Sequence, residues 1–250
     1  MNSQICGIWR YPIKSHGRES LSEVMLEAGK TLPWDRHWAV QHNKSDYDGI
    51  GWASCKNFMI GTRTPQLAAI RASFDVISKR ITLMHDKLGD LTFSPDNSLD
   101  VEQFFHWILP ILQNSSIRPV KIVSLKNRGM TDSHYASVSI MNMSSHRSVS
   151  QQLGKPLEIE RWRGNIWLDG GSPWEEFDWI GKRVRIGKAT LQVHESIERC
   201  LHTTASPKTG RRDIDLLHFL EDKWQHRDFG VYAKVIESGE ISIGDSATLI

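Results

Sequence analysis

Apolar positions along this chain come mostly in short runs or in alternation with polar ones, the period of a half-buried strand rather than a helix. Ile5–Arg10, Trp38–Gln41, Ile70–Ile77, Ile81–His85, Val120–Ser124 and Ala136–Met141 read this way. Leu157–Trp162, Ile166–Leu168, Arg183–Ile186, Thr190–His194, Val231–Ile236, Ile241–Ile243 and Ala247–Ile250 follow. Gly187-Lys188 and Ser238-Gly239 fall between apolar runs and read as hairpin connections. Helical spacing appears in three places. Asp100 can cap Val101–Gln113, with Gln103 as a capping-box partner. Phe104, Trp107, Ile108 and Ile111 then share one face, and Pro110 shortens or kinks the helix. Ser144 or Ser145 can start a helix to Leu153 that Gly154 ends. Asp213 can cap a third, with Leu216, Leu217, Leu220 and Trp224 in one stripe.

Many short strands with few short helices predict a mainly β, α+β fold of β-barrel-like modules, not a doubly wound sheet. The polar segments Asn114–Ser116 and Lys126–Ser133 mark a soft boundary. They divide the chain into an N-terminal domain, 1–113, and a second domain, 114–250. Four of the ten tryptophans, Trp162, Trp167, Trp174 and Trp179, fall in one stretch, where core and loop packing accounts for them.

Charge changes this picture little. There are 31 basic and 29 acidic side chains, a net of +2, which excludes a polybasic nucleic-acid coat but leaves room for a local basic pocket. Three cysteines form no disulfide framework and fit a reducing compartment. They also cannot supply the four thiolates of a plant-type iron–sulfur cluster. The first residues lack the pattern of a secretory signal, and no run of 18 apolar residues occurs, so a cytoplasmic protein without membrane or nucleic-acid partners is expected.

The densest polar segment is Glu198–Gly210. Cys200 follows Arg199 directly, and a neighbouring cation lowers a thiol pKa, which fits a nucleophilic or ligating cysteine. A buried, inert thiol in a loop is the alternative. Zinc at His194, Cys200 and His202 would match no common ligand spacing. Cys6 lies in an apolar run and reads as a small hydrophobe. Cys55, before Lys56, is the rival for reactivity. Basic groups also gather at strand ends: Tyr11–Ser15 with Lys14, Asp35-Arg36, and Arg161–Asn165 with Arg163. Such groups can converge on one phosphate-like anion. The common glycine-rich nucleotide cradles are absent.

Taken together, these motifs resemble a specific family. Tyr-Pro-Ile-Lys-Ser, then Asp-Arg, Arg-x-Gly-Asn-Ile, Arg-Cys-x-x-Thr-Thr-x-x-Pro-x-Thr-Gly, Phe229–Ala233 and Gly239–Asp245 occur in that order. The chain is similar to MOSC proteins that carry an N-terminal β-barrel domain, such as the mitochondrial amidoxime-reducing component and its bacterial relatives. The resemblance implies a MOSC β-barrel domain packed with an N-terminal β-barrel module, holding a molybdenum cofactor between them. It puts the metal ligand and catalytic centre at Cys200, and cofactor contacts at Lys14, Ser15, Arg36, Arg163, Asn165, Arg199 and Tyr232. Ser137 is a further candidate. Two departures stand out: Gly164 replaces a proline of the family pattern, and residues 42–65 do not follow the reductase pattern.

The implied activity is an oxidoreductase that reduces small N-hydroxylated substrates. Without a flavin or dinucleotide fingerprint, it would draw electrons from a separate donor protein. The alternative is a carrier that uses Cys200 for sulfur or cofactor transfer without turnover.

Overall fold

The computed structural model describes residues 3–112, 116–125 and 128–250. Asn114, Ser115 and Lys126, and with them the division at 113/114, lie outside the described residues. The alternating runs become strands β1 (Ser3–Arg10), β2 (Glu19–Leu21), β3 (Glu23–Leu26), β4 (Trp38–His42), β5 (Arg71–Asp75), β6 (Arg80–His85), β7 (Gly89–Phe93) and β8 (Pro119–Ser124). The second half adds β9 (Val138–Asn142), β10 (Ile166–Asp169), β11 (Arg183–Ile186), β12 (Ala189–Glu198), β13 (Asp228–Glu237), β14 (Gly239–Ser242) and β15 (Ser246–Leu249). Three α-helices, α1 (Ser98–Ile108), α2 (Met143–Leu153) and α3 (Leu216–Trp224), complete the mixed α+β fold.

The main sheet runs β10-β9-β13-β12-β11-β15-β1, and β1 pairs back onto β10, closing a seven-stranded barrel; β2 extends β1 outside the ring. Closure removes the unpaired edges an open sheet would expose. Alternation fills the interior with Ile5, Ile8, Val138, Ile140, Ile166, Leu168, Val184, Ile186, Leu191, Val193, Val231 and Val235. The pair β9–β10 is parallel, which requires a crossover, and α2 supplies it. The barrel therefore takes its first strand from the N-terminal end of the chain. In return β8 pairs with β4, so strands are exchanged between the two halves. A second core gathers Ile13, Trp38, Val40, Phe74, Ile81, Leu83, Phe93, Phe104 and Ile108 under the β5-β6-β7 sheet and α1.

Several local expectations are corrected. Leu157–Trp162 is no strand: Ile159–Trp162 forms a 3-10 turn ending on Arg163 at φ 50°. The cap of α1 is Asn97, which accepts from the Leu99 and Asp100 amides, while Asp100 accepts from Ser94 N and pairs with Arg80. The cap of α3 is Asp215; Asp213 is held by Arg161 instead. Gly187 does turn β11 into β12, but Ser238 leads β13 into β14, which pairs with β3 and not with β13. The strands β2, β3 and β7, three to five residues long, are too short to show an alternation in the sequence.

Candidate functional site

One end of the barrel collects the segments that leave β1, enter β10 and leave β12. They meet a strap of the N-terminal half, residues 55–62, around a cavity of about 260 Å³. Lys14, Ser15, Arg36, Arg163, Arg199, Cys200 and Tyr232 all line it, although 218 positions separate the first from the last. Two expected contacts do not. Asn165 is buried and ties the scaffold: it accepts from Ser139 N and Ser139 Oγ and donates to Trp9 O. Ser137 is buried against Ser133 Oγ at 2.7 Å; Ser139, two residues on along β9, is the serine that reaches the cavity.

Backbone strain concentrates here. Of seven non-glycine residues with left-handed φ among the described residues, Ser15 (64°), Arg36 (50°) and Arg163 (50°) line this cavity. Such conformations cost on the order of 1–3 kcal/mol each and persist where surrounding contacts hold them. The contacts are specific. Tyr11 lies buried between the segments, its amide donating to Asp35 Oδ1 at 2.9 Å and its hydroxyl to Gly164 O at 3.1 Å. The Arg36 and Arg163 guanidinium groups sit 4.8 and 4.2 Å from the centre of the Tyr11 ring. Arg36 also donates to Arg163 O at 3.0 Å. Gly164 is required by packing, since any side chain there would run into Met141.

The cations differ in their compensation. Lys14, 3% exposed, donates to Met130 O and pairs with Asp132 at 2.5 Å. Against the desolvation by surrounding protein, Lys14 and Arg36 hold the Asp132 carboxyl, whose side chain is 57% exposed, down at about 2. Arg36 pairs with the buried Asp35. Arg161 pairs with Glu158 and Asp213. Arg163 and Arg199 have no carboxylate partner among the described residues. Arg163 bonds Gly17 O; Arg199 bonds Phe229 O and Trp162 O. Burial pushes both guanidinium groups down to about 10.

Cys200 is exposed at the cavity, so the inert buried thiol is not what the fold builds. The expected lowering of its pKa is not met. Surrounding protein pushes the thiol up, and the His202 amide and the Arg199 charge only partly offset this. Cys55 lines the same cavity from the strap. Cys6 is exposed on the outer side of β1 rather than packed inside. No group of three or more metal-ligating side chains occurs among the described residues. Zinc at His194, Cys200 and His202 has no support, since His194 is not in the cavity. Sequence reasoning missed Asp132, whose segment read as a domain boundary, and gave His202 no role beyond zinc.

Trp162 and Phe229 stack at 3.8 Å under Arg199, and Trp167 and Trp179 are buried, as core packing predicts.

Residues 2–111 match the MOSC N-terminal beta barrel domain, and residues 127–248 match the MOSC domain. The chain has the MOSC two-domain architecture. Its MOSC domain carries the Arg163 and Cys200 wall of the cavity, and its N-terminal domain carries the Lys14 and Arg36 wall. Among curated relatives, molybdenum cofactor sulfurase of Drosophila ananassae is 27% identical over 62% of this chain and 21% of its own length. Molybdenum cofactor sulfurase 2 of Culex quinquefasciatus is 21% identical over 92% of this chain and 34% of its own length. The MOSC chain thus spans only a fifth to a third of these relatives. The YuaD protein of Bacillus subtilis aligns over the whole chain and 96% of its own, with 12% identity and a TM-score of 0.47. No helix among the described residues is long and apolar enough to cross a membrane.

Proposed function

We propose that this MOSC protein is a molybdenum-cofactor-dependent oxidoreductase that reduces small N-hydroxylated compounds with electrons from an external donor protein. One observation carries the reading: two half-buried guanidinium groups without carboxylate partners among the described residues, Arg163 and Arg199, share a cavity with a solvent-facing thiol, Cys200. That donor set fits the cofactor. An uncompensated guanidinium is the natural partner of a phosphate, and a thiolate is a soft ligand for molybdenum. Arg163, Ser15 and Arg36 would hold the phosphate end, with Arg199 and Tyr232 along the pterin, and Cys200 would hold the metal.

When bound, the cofactor supplies two-electron chemistry that removes an oxygen atom from nitrogen. The chain's own residues do the rest. Asp35 and Asp132 fix Arg36 and Lys14 before anything binds, so those cations need no reorganisation. The Trp162 and Phe229 stack excludes water behind Arg199. The His202 amide faces the Cys200 sulfur and favours its ionised form. The supporting experiment is metal and pterin analysis of the purified protein, followed by donor-driven reduction of an amidoxime. Stoichiometric molybdenum with turnover is expected; a chain that never acquires molybdenum overturns the reading.

The sulfurase relatives favour a second reading, in which Cys200 carries sulfur or cofactor without turnover. Labile sulfane sulfur on Cys200 in metal-free protein would mark it.

A further inference from the structure

The permanent cations that line the cavity are all engaged inside the protein. Lys14, Arg36, Arg161, Arg163, Arg199 and Ser139 all bond to protein groups. His202 does not. It is only 8% exposed, it lines the cavity, and neither ring nitrogen has a protein partner among the described residues. Neither nitrogen is among the fully buried unpartnered atoms, and Nδ1 faces Gly61. His16 and His85 also have an unpartnered Nε2, but each engages its Nδ1, at Lys14 O and Lys87 N. A nearly buried imidazole that lines a cavity and has no protein partner among the described residues is a hydrogen-bonding group awaiting a ligand.

The fold also fixes where this ring stands. Gly61 lies against it so closely that a Cβ there would overlap Nδ1 and Cε1. Arg212 locks the two segments together: it donates to Thr62 O at 2.8 Å on the strap, and to Leu201 O and Thr204 Oγ1 at 2.6 and 2.7 Å on the Cys200 turn. The ring therefore belongs to the turn that carries Cys200, yet its position is set by the N-terminal strap.

We infer that the His202 imidazole accepts the hydroxyl proton of the substrate's N–OH unit at one ring nitrogen, and that Gly61 sets the position of the ring. This rests on the proposed reductase reading and deepens it: it assigns the recognition of a neutral N–OH group, which offers one donor and acceptor positions. The phosphate-directed arginines are poorly suited to that task, since a guanidinium only donates.

The test uses the cofactor-loaded protein without electron donor, so that ligands bind but do not turn over. Calorimetry compares benzamidoxime with its O-methyl ether, which lacks the hydroxyl proton. Wild type should prefer the free oxime, and His202→Leu should lose about tenfold in affinity for it and most of that preference. His202→Asn, which keeps a donor and an acceptor, should recover part of both. Gly61→Ala, which displaces the ring but keeps the histidine, should resemble His202→Leu. Molybdenum content and melting temperature should stay near wild type. If His202→Leu keeps the preference, the assignment of His202 fails while the reductase reading stands. If it instead loses molybdenum, His202 serves to seat the cofactor, and the inference also fails. A loaded wild-type protein that neither binds nor reduces N-hydroxy compounds overturns both.

Discussion

Arg36 on the N-terminal wall of the cavity and Arg163 on the barrel wall stand over the same Tyr11 ring, yet their surroundings move them in opposite directions. Burial pulls the Arg36 guanidinium down, but Asp35 and Asp132 outweigh it and hold it above the usual arginine value. Burial, reinforced by Arg36 itself, takes Arg163 down to about 10. One arginine is half of an ion pair that serves the fold. The other is a charge kept in the protein at a cost, which an incoming anion would relieve. The same contrast separates the thiols: Cys200 lies beside an uncompensated arginine, and Cys55 lies on the strap opposite.

The largest effect should come from exchanging the thiols. Cys200→Ser replaces a soft ligand with a hard, protonated hydroxyl of nearly the same volume. Turnover and molybdenum content should be lost while the melting temperature stays near wild type. Cys55→Ala should keep both. Metal analysis and donor-coupled assays on the pair check this, and the reverse pattern would move the ligand to the N-terminal wall.

The two arginines should then fail in different ways. Asp35→Asn leaves the Arg36 charge unpaired beside a carboxylate site that is 1% exposed, so folding should lose about 3–5 kcal/mol in denaturant titrations. Arg163→Met removes a charge that has no carboxylate partner among the described residues. The metal-free protein should be close to wild type in stability or above it. Cofactor affinity should fall about 10- to 150-fold, the worth of roughly 1.5–3 kcal/mol for a charge-assisted bond. Equal stability losses in both variants would erase the distinction between the walls.

Strand alternation made the barrel legible, because a closed sheet with a filled interior imposes period two on β1, β12 and β13. The exchange of strands between halves was not legible, since pairing partners are chosen by tertiary packing rather than by a strand's own pattern. The site was legible where a motif joined residue types in a fixed order, as in Arg199-Cys200. It was not legible where chemistry depends on what a side chain fails to touch. The ring of His202, without a protein partner among the described residues, acquires meaning only from a three-dimensional account of bonds, and so does Asp132, through its pair with Lys14. Asn165 shows the converse: a motif residue whose hydrogen bonds are all taken by β1 and β9.

The smallest expected effect extends the comparison to pH. His16, behind Lys14 on the N-terminal side, and His146, under Trp162 on the barrel side, are both buried, and burial lowers each to about 4. Each makes one hydrogen bond as a neutral ring: Trp162 Nε1 donates to His146 Nδ1 at 3.0 Å, and His16 Nδ1 donates to Lys14 O at 2.7 Å. Because both folded values lie below the ordinary histidine value of about 6.5, the unfolded chain takes up protons first as the solution acidifies. Stability should therefore be fully present above about pH 6.5 and decline between there and pH 4, before the carboxylates contribute. His146 protonation breaks the Trp162 bond directly, whereas His16 keeps its Lys14 bond on protonation and loses only by charging a buried ring. His16→Phe, which keeps the edge contact with Phe104 at the loss of one hydrogen bond, should flatten part of the decline. Denaturant titrations at pH 7.5, 6 and 5 on wild type and on this variant measure that slope, and an unchanged slope would assign the acid response to the other histidines that burial lowers, His37, His85, His146 and His202.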